Sequence, residues 1–390
     1  MKILVISFHY APDLCAGSFR STALVEQLVQ HADEGVHIEV MTSLPHRYAS
    51  YAAEAAQTES QPGLTIQRIA LPQHHSGMLD QAWAFLYFAW AVRRLVRHQS
   101  YDVVYATSSR LMAAVLGAWV ARQKKATLYL DIRDLFVKTI ADVLSPRLAW
   151  ILRPIFSGLE YWTFRQAKRI NLVSSGFLPY ISSRYPQAIL RGFTNGIDEA
   201  FLVQEAPQPR VHDGLITILY AGNIGEGQGL HKIIPALAQR LRGRAQFQII
   251  GDGGRCTALK NALREAACEN VCLQAPMDRA SLLHAYQHAD VLFLHLNDYP
   301  AFRDVLPSKL FEYAAMGKPI LAGVAGYCAQ FIREELPGVA VFSPCSVEDA
   351  LTVLNTLCLQ THDRRDFVQK YTRRRIMHDM AQDLISCRSA

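Results

Sequence analysis

The stretch Leu306-Pro-Ser-Lys-Leu-Phe-Glu-Tyr-Ala-Ala-Met-Gly-Lys-Pro-Ile320 follows the apolar run Asp290-Val-Leu-Phe-Leu-His-Leu296, and together they read as strand, loop, helix and stop. The run is apolar enough for a buried strand, and Asn297-Asp-Tyr-Pro300 breaks it. Pro307 and Ser308 suit the start of a helix, Pro by its fixed backbone angle and Ser as a cap. The helix carries Glu312 and ends near Gly317. Its first turn offers unpaired N–H groups to an anion, and Lys309 adds positive charge where the helix dipole disfavours it. A phosphate bound there resolves that conflict. Glu312, about one turn later, is placed to accept hydrogen bonds from a ribose.

Working outward, the same alternation of apolar strand and helical pattern fills the chain. Lys2 to Phe8, Val36 to Thr42, Leu64 to Ala70, Asp102 to Thr107, Thr127 to Asp131 and Arg169 to Ser174 read as strands in the first half. Ile216 to Ala221, Gln246 to Gly251, Asn270 to Leu273, Asp290 to Leu296 and Pro319 to Gly323 follow in the second. Such alternation means mostly parallel sheets covered by helices on both faces, an α/β fold. At 390 residues the chain suits two Rossmann-like domains of roughly 190 residues each. The join falls near Arg191-Gly-Phe-Thr-Asn-Gly-Ile-Asp198, where Asn195-Gly196 is a turn signal. Val203 to Asp213, with two prolines, reads as a surface loop beyond it.

Composition narrows the function classes. Half of the residues are hydrophobic, so a globular protein is expected, and a net charge of +6 does not by itself call for nucleic acid. The eight cysteines form no Cys-x-x-Cys pair and no cluster with zinc spacing, which fits reduced thiols in a cytoplasmic protein. Met1 to Ser7 reads as a first strand rather than a signal peptide. Ala82 to Val92, the longest apolar stretch, is short of the about 20 residues that span a bilayer.

The segment around Lys309 resembles the signature of the retaining glycosyltransferases of family 4, in which two acidic residues separated by seven others precede a small-residue helix and a Gly-x-Pro stop. Here the pair is Asp304 and Glu312, with Asp in the first place where Glu is usual. Pro-Ser-Lys-Leu-Phe-Glu-Tyr is similar to the fucosamine-transferase-like subgroup of bacterial surface-polysaccharide enzymes. The resemblance covers nearly the whole chain. It implies two facing Rossmann-like domains (GT-B) with an interdomain cleft: residues 1–192 for the acceptor, 193–365 for the nucleotide sugar, and 366–390 as a C-terminal segment whose helix, read from Arg364 to Cys387, crosses back to the first domain. It further implies transfer of a sugar from a nucleoside diphosphate, UDP foremost, to a lipid-linked or saccharide acceptor with retention of configuration. No cofactor and no metal are expected, and the chain has no Asp-x-Asp motif.

In His9-Tyr-Ala-Pro-Asp-Leu-Cys-Ala-Gly-Ser-Phe-Arg20, the first βα turn, Gly17 lets the backbone approach a ligand and Arg20 points from a helix starting near Ser18 toward the same place. An ordinary turn is the alternative. Gly222-Asn-Ile-Gly-Glu-Gly-Gln-Gly229 follows a strand and can cradle a diphosphate with backbone N–H groups. Family members carry Arg and Lys in this turn, whereas this chain has Asn223 and Gln228, so the cation must come from Lys309 first or Arg20 second. Gly251, in Gly251-Asp-Gly-Gly254, and Met277, after Pro276, are placed by the resemblance beside the nucleoside. Asp131-Ile-Arg-Asp134 ends a strand with charges, so Asp134 either faces an acceptor hydroxyl or Arg133 pairs with Asp131 or Asp134 structurally. The site residues expected are therefore Asp304, Lys309 and Asp134 for catalysis, and Gly17, Arg20, Gly222, Asn223, Gln228, Gly251, Met277, Ser308 and Glu312 for the donor.

Trp83 to His98 and Pro146 to Arg169 mix aromatic and basic residues as segments lying on anionic lipid do, and as core helices with basic ends also do. Two rival functions share this architecture, a nucleotide-sugar 2-epimerase and a non-catalytic nucleotide-sugar-binding protein. A dinucleotide oxidoreductase is disfavoured, because no Gly-x-Gly-x-x-Gly follows the first strand.

Overall fold

The computed structural model describes residues 1–31, 35–45, 54–72, 78–108, 111–143, 146–202 and 214–387. The loop expected from Val203 to Asp213 lies outside them. The chain divides into two units, Met1–Asn195 with Arg373–Ala390, and Gly196–Thr372.

In the first unit the elements are β1 (Lys2–Ile6), α1 (Ala16–His31), β2 (His37–Ser43), β3 (Thr58–Gln61), β4 (Leu64–Ile69), α2 (Met78–Val96), β5 (Val103–Ser108), α3 (Leu111–Lys124), β6 (Thr127–Ile132), α4 (Phe136–Val143), α5 (Pro146–Phe164), β7 (Ala167–Leu172), α6 (Leu178–Arg184) and β8 (Ile189–Arg191). They build an eight-stranded sheet in the order β3-β4-β2-β1-β5-β6-β7-β8. All neighbouring strands are parallel except β3 against β4. β1 and β5 are buried along nearly their whole length, which is why they read as unbroken apolar runs. The strand order reverses at β1, so the turn into α1 sits at a switch point where ligands of such sheets gather.

The second unit holds β9 (Ile216–Ala221), α7 (Leu230–Arg240), β10 (Ala245–Ile250), α8 (Cys256–Glu265), β11 (Val271–Gln274), α9 (Arg279–His288), β12 (Val291–His295), α10 (Lys309–Ala315), β13 (Ile320–Gly323), α11 (Gly326–Glu335), β14 (Val339–Phe342), α12 (Val347–Thr356) and α13 (Arg365–Lys370). Its six strands run β11-β10-β9-β12-β13-β14, all parallel, with the reversal between β9 and β12. Two apolar clusters cover its faces. One joins Leu219, Leu294, Phe311 and Ile332; the other joins Tyr220, Ile233, Phe247 and Phe293.

The last stretch is not one helix. The chain is helical over α13, pairs Thr372 with Ile197 as an isolated parallel bridge, and resumes as α14 (Arg373–Ile385), which packs on α1 in the first unit. Among the described residues no helix, the apolar α2 included, is long and apolar enough to cross a membrane.

Candidate functional site

In the second unit, the loop after β9 and the start of α10 meet at the carboxyl end of the sheet. Lys309 Nζ lies 3.8 Å from the centre of the Tyr220 ring, a cation–π contact. Gly222, at φ +138°, leaves room for it, since a Cβ there would collide with the Lys309 amine. Gly251, at φ +148°, is packed as tightly from below, for its Cβ would run into the Gly222 carbonyl. Burial lowers the Lys309 ammonium to about 7, with Glu312 opposing the shift. The amine is thus held where an incoming anion would restore its charge.

The loop itself is more committed than its glycines suggest. Gly222 N–H bonds the Ile250 carbonyl at 2.8 Å and Ile224 N–H the Asp252 carbonyl at 2.9 Å. Asn223 Nδ2 donates to Gln228 Oε1 at 2.9 Å, and Gly225 N–H to the same oxygen at 3.2 Å. Asn223 and Gln228 therefore close the loop on itself instead of presenting side chains outward. Among the described residues, the amides of Asn223, Glu226 and Gly227 remain without a partner and constitute what the loop can offer a phosphate. From below, His295 donates through Nδ1 to the Gln228 carbonyl at 2.6 Å and accepts from Cys345 N–H at 3.0 Å, so it is neutral, as burial lowering it to about 4 requires.

The start of α10 also differs from expectation. Ser308 adopts helical angles and makes no side-chain cap bond. Leu310 and Phe311 N–H are used by the Pro307 and Ser308 carbonyls at 3.1 Å. With seven residues, α10 is under two turns, so its dipole is small and the Lys309 side chain carries the charge. Glu312 is half-buried and takes a hydrogen bond from Tyr286 at 3.5 Å. Asp304 ends the 3₁₀ turn Pro300–Asp304, whose Phe302 packs on Gly227. Met277 follows β11, partly buried against the same core as Phe311.

Three tyrosines that sequence reasoning passed over support this end of the sheet. Tyr220 carries the lysine and donates to the Asn223 carbonyl at 2.6 Å. Tyr313 accepts from Ala221 N–H at 3.1 Å, and Tyr286 stacks edge-on against it at 5.3 Å. Tyr220 stands two residues before Gly222, which is its trace in the sequence; Tyr313 and Tyr286 carry no such mark.

In the first unit Arg20 is not free for a ligand. Its guanidinium clasps Asp131 through Nε at 2.8 Å and Nη2 at 2.9 Å, and it also donates to the Phe193 carbonyl at 2.8 Å and the Thr194 carbonyl at 2.6 Å. It is 1% exposed. The expected structural pair of Arg133 with Asp131 or Asp134 is not formed either, because Arg20 holds Asp131. Asp134 accepts from Thr139 Oγ1 at 3.1 Å, and burial raises its carboxyl above the usual range. Gly17 is in contact with Arg133, whose Nη1 would stand 2.6 Å from a Cβ at that position. α1 begins at Ala16, ahead of Ser18.

Comparison with known proteins agrees with both units. The family described as "Glycosyl transferases group 1" matches residues 204–375, and "Glycosyl transferase 4-like domain" matches residues 20–188. Over 150 residues the chain is 33% identical to WcaI of Escherichia coli (strain K12), a protein named as a colanic acid biosynthesis glycosyl transferase. That match takes in 37% of this chain and 36% of the relative's length, about a third of each. Among solved structures, the sucrose-phosphate synthase of Thermosynechococcus elongatus superposes with a TM-score of 0.68 at 14% identity, over 98% of this chain and 94% of that one. WaaG, a glycosyltransferase involved in lipopolysaccharide biosynthesis, gives 0.67 at 15%, over 99% and 97%. HepE of Anabaena, solved with UDP-glucose, gives 0.62 at 15%, over 100% and 97%. With a 4-like domain in the first half, a group 1 domain in the second and GT-B enzymes as its structural neighbours, the chain belongs to the family 4 glycosyltransferases of GT-B fold.

Proposed function

We propose that this chain transfers a sugar, with retention of configuration and without a metal, from a UDP-linked donor to a lipid-linked or saccharide acceptor in the synthesis of a surface glycan. The observation that carries the reading is Lys309. A lysine amine against Gly222 at the end of β9, beside Glu312, is where a diphosphate and its ribose would be held. Asn223 and Gln228 are turned inward and cannot supply charge. The names of WcaI and WaaG and the UDP-glucose bound to HepE favour the same substrate class.

The chemistry follows from a charged leaving group. The bond between the anomeric carbon and the diphosphate oxygen breaks, and negative charge develops on the diphosphate. Lys309 and the amides of Asn223, Glu226 and Gly227 stabilise that charge. The acceptor oxygen bonds the anomeric carbon on the same face, and its proton passes to the departing phosphate oxygen. No strong general base is then required. Asp304 is assigned to the donor sugar, and Asp134, whose carboxyl burial raises above the usual range, to the acceptor. Met277 and Gly251 line the nucleoside end.

The acceptor is drawn from the cytoplasmic leaflet in this reading. α2 exposes Trp83, Leu86 and Trp90 beside Arg93, Arg94 and Arg97, and α5 exposes Trp150 at 81%, Ile151 and Ile155. Between α2 and α3 runs a groove of about 720 Å³ bordered by Trp90, Trp119, Arg93, Arg94, Arg97 and Lys124, with no acidic residue in its lining. Bulky apolar side chains and unneutralised cations on one domain fit an anionic lipid surface.

A thermal-shift panel of nucleoside diphosphates and their sugars tests the donor, since only the right nucleotide stabilises the fold by mass action. UDP and a UDP-sugar are expected to raise the melting temperature, and transfer of label to a polyprenyl-linked saccharide is expected to follow. Epimerisation of the donor with no acceptor present would identify an epimerase. UDP binding with no turnover on any acceptor would leave a binding protein.

A further inference from the structure

Asp131 is saturated. Its two oxygens accept from Arg20 Nε and Nη2, from Asn171 Nδ2 at 2.7 Å and from Tyr105 Oη at 2.9 Å, which uses the four lone-pair positions a carboxylate has. Arg133, two residues further along, is therefore left out. Its Nε is buried and has no hydrogen-bond partner, and among the described residues its guanidinium makes no ion pair. Asp134 is turned to Thr139 and makes no ion pair with Arg133, which it meets only through space, and burial raises its carboxyl. The groups that act most strongly on Arg133 are Asp131, Arg20, Cys15 and Tyr105, with Asp134 a further neighbour, and of the two arginines only Arg20 is hydrogen-bonded to a carboxylate. A half-buried cation with no ion pair of its own costs free energy unless something supplies further negative charge.

The surroundings indicate what supplies it. Arg133 follows β6 at the carboxyl end of the parallel sheet, and its Nη1 rests against Gly17 in the first turn of α1, at the switch point beside β1. Any side chain at position 17 would displace the guanidinium. The geometry points to an anion subsite in the first unit, built from Arg133 over Gly17, that takes a phosphate or diphosphate group of a substrate. The subsite rests on the glycosyltransferase reading and deepens it: one of the substrates presents its phosphate to Arg133 as a planar two-pronged donor. The phosphate belongs either to the diphosphate of the donor or to the phosphate that links an acceptor saccharide to its lipid.

Calorimetric titration of the full chain with inorganic pyrophosphate, and separately with UDP, distinguishes these sources. The variants are Arg133→Gln and Gly17→Ala, each also in a Lys309→Ala background that removes the other anion site. In that background Arg133→Gln is expected to weaken pyrophosphate about ten- to a hundredfold, the worth of a charge-assisted hydrogen bond. The ligand-free variant should melt at the same temperature as the unsubstituted chain or higher, because an uncompensated buried charge is gone. Gly17→Ala keeps the arginine and should weaken pyrophosphate in the same direction, so the test survives if Arg133→Gln does not fold. UDP affinity that falls with Arg133→Gln assigns the subsite to the donor; UDP affinity unchanged beside lost pyrophosphate assigns it to the acceptor. Pyrophosphate bound equally by Arg133→Gln, or a variant that melts several degrees lower with anion binding intact, overturns the subsite and makes Arg133 structural. A chain that binds pyrophosphate through Arg133 but never UDP would uphold the subsite while overturning the UDP-donor reading.

Discussion

Lys309 is the residue on which most of the functional argument turns, and its charge state is testable without substrate. Burial lowers its amine from 10.5 to about 7, so between those values the unfolded chain binds a proton that the folded chain does not. Stability contributed by this group therefore rises with pH from about 7 upward. Lys309→Met should flatten that rise, read as the difference in melting temperature between the two proteins from pH 6 to 9.5; parallel curves would show that the amine titrates normally. The same substitution should weaken UDP by about 1.5 to 3 kcal/mol and uridine little, and equal losses for both would make the lysine structural. Gly222 is the complementary position. Gly222→Ala imposes a Cβ on the Lys309 amine at a left-handed backbone angle, for which a loss of about 1 to 3 kcal/mol in a urea melt is expected. Glu312→Gln should weaken UDP and activity together if it holds the ribose, whereas unchanged UDP affinity would remove it from the site.

At the scale of elements, the strands of both sheets were legible because parallel strands buried on both faces are nearly continuous apolar runs. Those read from the sequence match the observed ones to within two residues. Of the four edge strands only β11 was read; β14, four apolar residues long, was passed over, and the two edges of the first sheet were not legible. β3 is Thr-Glu-Ser-Gln, exposed throughout, and β8 is three residues long, so neither carries an apolar signal. The break between α13 and α14 has no proline or glycine to announce it; it is set by the bridge from Thr372 to Ile197, a contact across the sequence that no local pattern encodes. The fate of Arg20 was hidden for the same reason, since its partner lies 111 residues away. That pair now has a structural role: it ties α1 and β6 to the Phe193–Thr194 segment. Asp131→Asn would leave Arg20 buried and uncompensated, and a loss of about 3 to 5 kcal/mol is expected. A urea midpoint that stays in place would show that Arg20 is held by the carbonyls alone.

Across the whole molecule, two kinds of surface are concentrated in the first unit. Of the exposed large hydrophobics, most lie on α2 and α5, and the cations of the α2–α3 groove face one another with no carboxylate between them. Arg94 lies over Trp90 and Arg93 over Trp119, at 5.8 and 5.4 Å, so the cations are held beside the aromatics rather than spread into solvent. Core helices with basic ends would have turned these rings inward. Trp150 at 81% exposure is not turned inward, and that favours the membrane contact proposed above over a core helix with basic ends. An anionic bilayer would take the rings at the headgroup level and the arginines at its surface, each basic residue adding about 1 kcal/mol at low salt and less as salt screens it. Co-sedimentation with phosphatidylglycerol vesicles at low salt is expected to capture the protein, and neutral phosphatidylcholine vesicles to leave it in solution. Replacing Arg93, Arg94 and Arg97 by Glu should release it from the anionic vesicles without lowering its melting temperature, since these side chains are exposed. Replacing Trp90 and Trp150 by Ser should weaken the attachment that persists at high salt, which the arginines do not supply. Equal partition onto both vesicle types, or none onto either, would detach the acceptor from the membrane and leave a soluble saccharide in its place.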